Sequence, residues 1–396
     1  MSDDAATFAP PSPVRVGILG SSWWVDSMYL PALASHPQGQ VVAIAGRDAE
    51  TLAQRWSIPH AFGRYQDLLD SGLVDALIIA TRNDLHADLT YAGLDRGLHI
   101  LCEKPLALDY PETVGMARRA AEAGAICMTP FTYAWMPIPR YIKRLIDQDY
   151  LGTPHHLNLR YFTGFGADVA GEDSYNWRFD QSVAGSGALG DIACHFLYLA
   201  QWFFGDIVAV FAELGRLIQR APLNPQGQPY PQADDNALLL FKFANGAQGV
   251  LHASTVANEE TPFGQRHEMD LHGSHGTLHA RIDWDRDQFL RGARRGEGPP
   301  QILAIPDEIW DGARHDTVHN TYRDVFRTQE SMARQWVSAI ADGQPVRPNF
   351  ADGAAIQRVM DAARRSHDQG RWVDIEEISE EISEEITGQT TGEIQP

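Results

Sequence analysis

Two alternating periods in the first third of the chain constrain the fold most. Short, wholly apolar runs at 14–19, 41–45, 76–80, 98–102 and 125–129 are separated by helical patterns at 24–35, 49–56, 86–96 and 111–123. Strands alternating with helices of 10–15 residues build βαβ units on a parallel sheet. Strands apolar throughout are those covered on both faces.

Beyond residue 130 the pattern changes. A helix at 140–149 is followed by a Gly-rich polar stretch at 164–190, and segments that alternate apolar and polar appear at 156–161, 208–214, 237–243, 248–254, 268–272 and 277–282. Alternation of period two marks strands with one covered face. Helical patterns return at 329–341 and 353–367. The expected class is α/β: an N-terminal Rossmann-like parallel-sheet domain, then an α+β domain with a large, mainly antiparallel open sheet. The expected divisions are an N-terminal extension (1–13), a dinucleotide-binding domain (14–133), a substrate-binding and oligomerisation domain (134–375) and an acidic flexible tail (376–396).

Composition narrows the function. The formal charge of −20 opposes nucleic acid or an anionic membrane as partner, since both require a positive face. Seven glutamates of the tail account for part of it, leaving −13 on the rest of the chain. The tail's isoleucine at every fourth residue fits an acidic amphipathic helix, but a solvated, frayed terminus is the favoured reading. No run approaches a membrane span, and residues 1–13 lack a basic flank followed by an apolar stretch, so a cytoplasmic protein is expected. Cys102, Cys127 and Cys194 are too scattered for a disulfide framework. No metal is expected, because His252, His267, His272, His275 and His279 sit on separate strands and turns without a carboxylate at ligand spacing.

Four segments carry chemistry. Gly20-Ser21-Ser22-Trp23-Trp24-Val25 lies where the first strand turns into the first helix, the position of a dinucleotide fingerprint. Only its first glycine, Gly20, is in place; Ser22 and Val25 hold the other two positions. Ser22 is suited to cap the helix and to offer a hydroxyl to a phosphate. The second strand ends at Gly46-Arg47, without the carboxylate that would bind a ribose 2′-hydroxyl, and Arg47 is suited to a 2′-phosphate; NADP is therefore favoured over NAD. Asp48 reads as the cap of the next helix.

Glu103-Lys104-Pro105 stands at the C-terminal end of a parallel strand, on the ligand-binding rim of such sheets. The chain has only three lysines (Lys104, Lys143 and Lys242), so a lysine placed there is selective. Asp191 and His195, spaced i and i+4, project from one helical face. Taken alone, such a pair reads as an ordinary surface interaction; beside a carboxylate, His195 is also a base tuned near neutrality. Cys194 is turned about 100° away and is expected to pack.

Jointly, these residues resemble the glucose–fructose oxidoreductase/inositol dehydrogenase (Gfo/Idh/MocA) family over roughly residues 14–375. The carriers are Ala80-Thr81-Arg82-Asn83-Asp84-Leu85-His86, Glu103-Lys104-Pro105, Asn176-Trp177-Arg178, the Asp191…His195 helix and Gly273-Ser274-His275-Gly276-Thr277-Leu278. The resemblance implies an NAD(P)-dependent oxidoreductase of a sugar, inositol or related polyol. It implies Lys104 near the nicotinamide and the substrate hydroxyl, His195 as acid/base, and Asp191 orienting substrate. Gly20, Ser22, Trp23, Thr81, Asn83, His86 and Glu103 match cofactor positions, and Trp177 and Arg178 a segment reaching the cleft. Arg82 stands where the family commonly has proline, so that loop is expected to be placed differently. The resemblance extends to NAD-dependent glycosidases and, more remotely, to a cofactor-binding regulator, though a regulator has no need of a proton-transfer set. The pocket is expected between residues 162–178 and the second sheet. An apolar outer sheet face including Leu238, Leu240, Phe241 and Leu251 leads to an expected homodimer or homotetramer.

Overall fold

The structure, a computed structural model, describes residues 13–168, 175–258 and 261–379. Six parallel strands form the first sheet: β1 (Val14–Leu19), β2 (Gly39–Ala45), β3 (His60–Phe62), β4 (Ala76–Ile79), β5 (His99–Cys102) and β6 (Cys127–Met128). Their order, β3-β2-β1-β4-β5-β6, reverses direction between β1 and β4, the switch point at which such sheets bind ligands. Ile18, Ile44, Ile78 and Leu101 are fully buried, as strands with helices on both faces require.

The second sheet has nine strands: β7 (Pro154–Phe162), β8 (Ile207–Gly215), β9 (Asn236–Phe243), β10 (Gln248–Ser254), β11 (Arg266–Gly273), β12 (Gly276–Asp283), β13 (Gln288–Arg294), β14 (Gln301–Ile302) and β15 (Val373–Asp374). Their order is β14-β13-β12-β11-β7-β10-β9-β8-β15. Only the β7–β10 pair is parallel. The helix Cys194–Phe204 packs on the inner face against β7 and β10, which buries Leu159, Leu239, Leu251 and Phe241. The opposite face carries Leu238, Leu240 and Val250 at 40%, 44% and 36% exposure. Phe241 and Leu251 therefore belong to the core face and not, as expected from the sequence, to the outer one. In Leu238-Leu239-Leu240-Phe241 the residues of both parities are apolar, so the pattern does not reveal which set points inward.

The segment Gln181–Phe204 has the length and hydropathy to cross a bilayer, but its apolar window is 83% buried inside the fold, as a core helix is. After the second sheet the chain returns to the first domain. Trp336, fully buried on the helix Met332–Asp342, donates to the Ile126 carbonyl at 3.0 Å, and Asp361 on the helix Phe350–Gln369 accepts from the Tyr110 amide at 2.7 Å. These helices clamp the two domains together. Of the tail, residues 376–379 continue a short helix whose Ile375 and Ile378 are buried. The reading of 380–396 as a flexible tail, like that of residues 1–12, lies outside the described residues.

Candidate active site

One wall of the site begins at Gly20, immediately after β1. Its φ of +119° and the 2.3 Å that would separate an added Cβ from the Ala80 carbonyl both require glycine. The Ser21 hydroxyl accepts from the Asp48 amide at 3.0 Å and so ties the tips of β1 and β2 together. Asp48 does precede the helix Ala49–Trp56, but its side chain makes no capping bond. The first helix starts in a π-helical turn, Val25–Tyr29, a form that often marks functional sites. The Ser22 carbonyl accepts the Asp26 amide, while its hydroxyl is left at the cleft surface with no partner among the described residues.

At the end of β5, Trp24 Nε1 and the Tyr29 hydroxyl donate to Glu103 Oε1 at 2.6 and 2.5 Å, and the Lys104 amide donates to Oε2 at 3.1 Å. Burial raises the Glu103 pKa, and these three donors oppose that rise. Below the turn, the fully buried His86 holds the Pro105 carbonyl at 3.0 Å through Nδ1, and burial lowers its pKa to about 4. His86 does not reach the cleft. It props the Glu103-Lys104-Pro105 turn from beneath, which corrects its placement as a cofactor contact.

Lys104 Nζ donates to the Asp191 carbonyl at 2.7 Å and to its Oδ1 at 2.8 Å. Asp191 Oδ2 lies 3.7 Å from Arg178 Nε, and the Arg178 guanidinium stacks 4.6 Å from the Trp177 ring. Burial opposes the charge on Asp191, but Lys104 and Arg178 outweigh it and bring the carboxyl to about 2. Burial likewise opposes the Lys104 charge, and the attraction of Asp191 outweighs it, so the lysine stays protonated.

The helix bearing Asp191 and His195 has a fixed start. Asp234 accepts the Gly187 and Leu189 amides at 2.9 and 2.8 Å, and its carbonyl accepts the Ala188 amide. A Cβ at residue 187 would lie 1.6 Å from that carbonyl, so glycine is required there. A π-helical turn at Leu189–Ala193 leads into the α-helical part. His195 is buried, with Nδ1 unpartnered and its ring edge-on to Tyr133 at 5.0 Å. Burial, reinforced by the Lys104 charge, holds its pKa well below 6.5. Cys194 is buried and its thiol is pushed up to about 12, as packing requires.

Gly20, Ser22, Trp24, Glu103, Lys104, Asp191 and His195 line one cleft of about 710 Å³ that runs from the Gly20–Trp24 turn to Lys104 and His195. Trp23, Thr81, Asn83, Trp177 and Arg178 also line it, with Asn83 anchored to the Ala184 carbonyl at 2.9 Å. Arg82 pairs with Asp84 at 2.8 Å. Arg47 is exposed outside the lining, and its charge bears on Tyr65, which does line the cleft. Of the expected pocket segment, Thr163, Phe165 and 176–178 contribute, whereas Phe162 packs on the open sheet face against His252 at 4.7 Å. The sequence reading missed a polar chain on the far wall. Tyr133 and Tyr161 share a hydrogen bond of 2.7 Å, and the Gln265 amide reaches Tyr133 at 2.9 Å and His267 at 3.0 Å. It also missed the helix Val318–Thr328, which brings His319, Tyr322, Arg323 and Arg327 to the cleft. Among the described residues no cluster of His, Cys, Asp or Glu is arranged to hold a metal.

Residues 14–131 match the oxidoreductase family with an NAD-binding Rossmann fold, and residues 140–279 match the GFO/IDH/MocA C-terminal domain. The chain belongs to the Gfo/Idh/MocA family. Levoglucosan dehydrogenase of Pseudarthrobacter phenanthrenivorans is 29% identical over 375 residues, covering 88% of this chain and 92% of that protein. Inositol 2-dehydrogenase of Rhizobium meliloti is 24% identical over 368 residues, covering 91% and 99%. The solved structure of levoglucosan dehydrogenase in complex with NADH and levoglucosan matches with a TM-score of 0.79 at 26% identity, covering 92% of this chain and 100% of that one. As a Gfo/Idh/MocA protein this chain is an NAD(P)-dependent oxidoreductase.

The environment of His195 sets its pH behaviour. An imidazole whose pKa is lowered stays neutral as pH falls through the ordinary value of about 6.5 and gains its proton only well below it. A histidine NMR titration, with His195 assigned by comparison with His195→Gln, is expected to show no midpoint near 6.5 for this ring. A midpoint there would contradict the buried geometry.

Proposed function

We propose that this oxidoreductase interconverts a secondary alcohol and a ketone, or an aldose and a lactone, on a sugar, inositol or related polyol. The observation that carries this reading is the meeting of Lys104 and His195, from different domains, in one cleft with Asp191 bonded to the lysine. The residues fit a dinucleotide. The Gly20 turn admits no side chain, the first amides of a helix lack intrahelical partners, and the cleft continues from there to Lys104. Gly20, Ser22 and Trp23 would hold the pyrophosphate side, Thr81, Asn83 and Glu103 the middle, and Trp177 and Arg178 the nicotinamide end. Hydride exchange is the chemistry that a bound nicotinamide supplies.

The chain's own residues handle the proton. Lys104 donates to the substrate oxygen and stabilises negative charge as it develops there. His195 takes the hydroxyl proton at Nε2, the ring nitrogen left accessible, and returns it in the reverse direction. With Nδ1 buried and unpartnered, His195 is a weak base and a strong acid. Lys104 compensates by making the substrate hydroxyl more acidic. Asp191 aims the lysine and offers an acceptor to a neighbouring hydroxyl. Purified protein assayed against levoglucosan, inositols and aldoses with both cofactors should reduce one mole of cofactor per mole of product. Turnover without net cofactor reduction would indicate the glycosidase reaction instead. His195→Ala is expected to lose about 10²–10⁴-fold in turnover, and Lys104→Ala to lose turnover while cofactor affinity is largely kept. Near-normal rates in both variants would overturn the assignment.

For the cofactor we favour NADP(H). Gly46 presents no carboxylate at the tip of β2, and the exposed Arg47 has no ion-pair partner among the described residues. Arg47→Asp should weaken NADP(H) binding by roughly 1.5–3 kcal/mol and leave NAD(H) binding comparatively unaffected. Equal affinities for both cofactors in both proteins would refute this preference.

We also propose a homo-oligomer, a dimer or tetramer, assembled on the open sheet face. Leu240 lies opposite Val250 in the β9–β10 register, with Leu238 two residues along, and together they form an exposed apolar strip. Leu238→Asp/Leu240→Asp should lower the mass measured by sedimentation equilibrium. A wild-type mass equal to one chain at all concentrations would exclude assembly.

A further inference from the structure

We propose that Arg323 and Arg327, on the helix Val318–Thr328 of the second domain, supply the positive charge for the pyrophosphate of the dinucleotide that the turn after β1 lacks. The proposal rests on the cofactor reading above and extends it to a contact made across the domain boundary.

The turn Gly20-Ser21-Ser22-Trp23-Trp24-Val25 contains no cation, and side chains occupy two positions where glycine would let the backbone approach a pyrophosphate closely. Any side-chain cation that adds to the helix amides there comes from another part of the cleft. Among the described residues five cationic side chains line it: Arg82, Lys104, Arg178, Arg323 and Arg327. Asp84 neutralises Arg82 at 2.8 Å, and Lys104 and Arg178 share Asp191 at 2.8 and 3.7 Å. Arg323 and Arg327 have no carboxylate within ion-pair distance among the described residues. Asp324, between them in sequence, is held by both arms of the Arg314 guanidinium at 2.8 Å.

The geometry brings these two arginines to the turn. They are spaced i and i+4, so they share a helical face. Arg327 Nε donates to the Ser27 carbonyl at 2.9 Å, one turn into the helix that follows the fingerprint. Tyr322 of the same helix packs edge-on against Trp24 with ring centroids 6.4 Å apart. His319 also shares the face, but it is committed to aromatic contacts with Phe263 and Trp284 at 4.6 and 5.0 Å. Burial and the repulsion of Arg323 lower the Arg327 pKa, with Asp324 opposing them, so the two guanidinium groups lie close enough to share one anionic group. A pyrophosphate diester carries two negative charges, one for each arginine, and guanidinium groups bind phosphate oxygens by paired hydrogen bonds. An anionic group on the substrate would meet the same chemistry. The anchorage of Arg327 to Ser27 favours the pyrophosphate.

Binding of three probes to the full chain, followed by calorimetry, tests this. ADP-ribose contains the pyrophosphate without the nicotinamide, adenosine contains neither, and NAD(P)H is the whole cofactor. Arg323→Gln should weaken ADP-ribose and NAD(P)H by about tenfold each, and Arg323→Gln/Arg327→Gln by more, with a shallower salt dependence. Adenosine binding should not change, and Arg323→Lys should recover part of the loss. Arg323 is exposed, so its substitution should leave the melting temperature close to that of the parent. Unchanged ADP-ribose affinity in both glutamine variants would overturn the proposal while leaving the cofactor reading intact. So would a raised KM for the polyol with ADP-ribose binding unaffected, which would assign the arginines to the substrate. A parent protein that binds neither ADP-ribose nor NAD(P)H would overturn both readings.

Discussion

The bond between Lys104 and Asp191 is the interaction around which the molecule is organised. It joins a strand end of the first domain to the central helix of the second, and it places a partly buried cation where the two domains meet. A lysine removed from water keeps its charge only if acceptors replace the lost hydration. Asp191 supplies two, one from its side chain and one from its backbone. Each partner is in turn held by its own domain. His86 and the donors to Glu103 fix the turn that carries Lys104, and Asp234 fixes the first turn of the helix that carries Asp191. The reactive groups are thus positioned by short hydrogen bonds to backbone atoms and not by flexible side chains alone.

Much of this was legible before any coordinates. The parallel sheet announces itself because its strands are covered on both sides, and their apolar runs fall within a residue or two of β1, β2, β4, β5 and β6. Strand β3 escaped because it spans three residues at the sheet edge, two of them exposed. The helix Val318–Thr328 escaped although its pattern was present. Thr317 caps it by accepting from the Asn320 amide, and Val318, Tyr322, Val325 and Phe326 recur at helical spacing. Arg323, Asp324 and Arg327 break up the apolar residues along it. That omission hid Arg323 and Arg327 from the sequence reading.

Within the site, the residues that could be recognised were those whose type is scarce or whose spacing is periodic: a lysine in a chain with three, and an Asp/His pair one helical turn apart. Tyr133, Tyr161 and Gln265 have no such signature. Each is a single side chain at the edge of a strand or turn, and only the sheet's register brings them into one hydrogen-bonded chain. His86 shows the opposite limit. A histidine after a strand of a nucleotide-binding sheet resembles a ligand contact, yet the start of the helix His86–Leu94 turns its ring inward, to the Pro105 carbonyl.

Charge links these local arrangements to the whole chain. A protein with a net charge of −20 presents a field that repels an anionic dinucleotide. At physiological salt, however, screening limits exposed charges to a range of about 8 Å, so attraction within the cleft depends on what lines it. The lining is arranged for that purpose. Asp84 and Asp191 are each bound to a cation, and the Glu103 carboxylate is covered by three hydrogen bonds, so among the described residues little free negative charge faces the cavity. Most acidic side chains among the described residues are exposed or half-buried, where water reaches them. Arg323 and Arg327, with no carboxylate at ion-pair distance among the described residues, lie in the cleft between the domains.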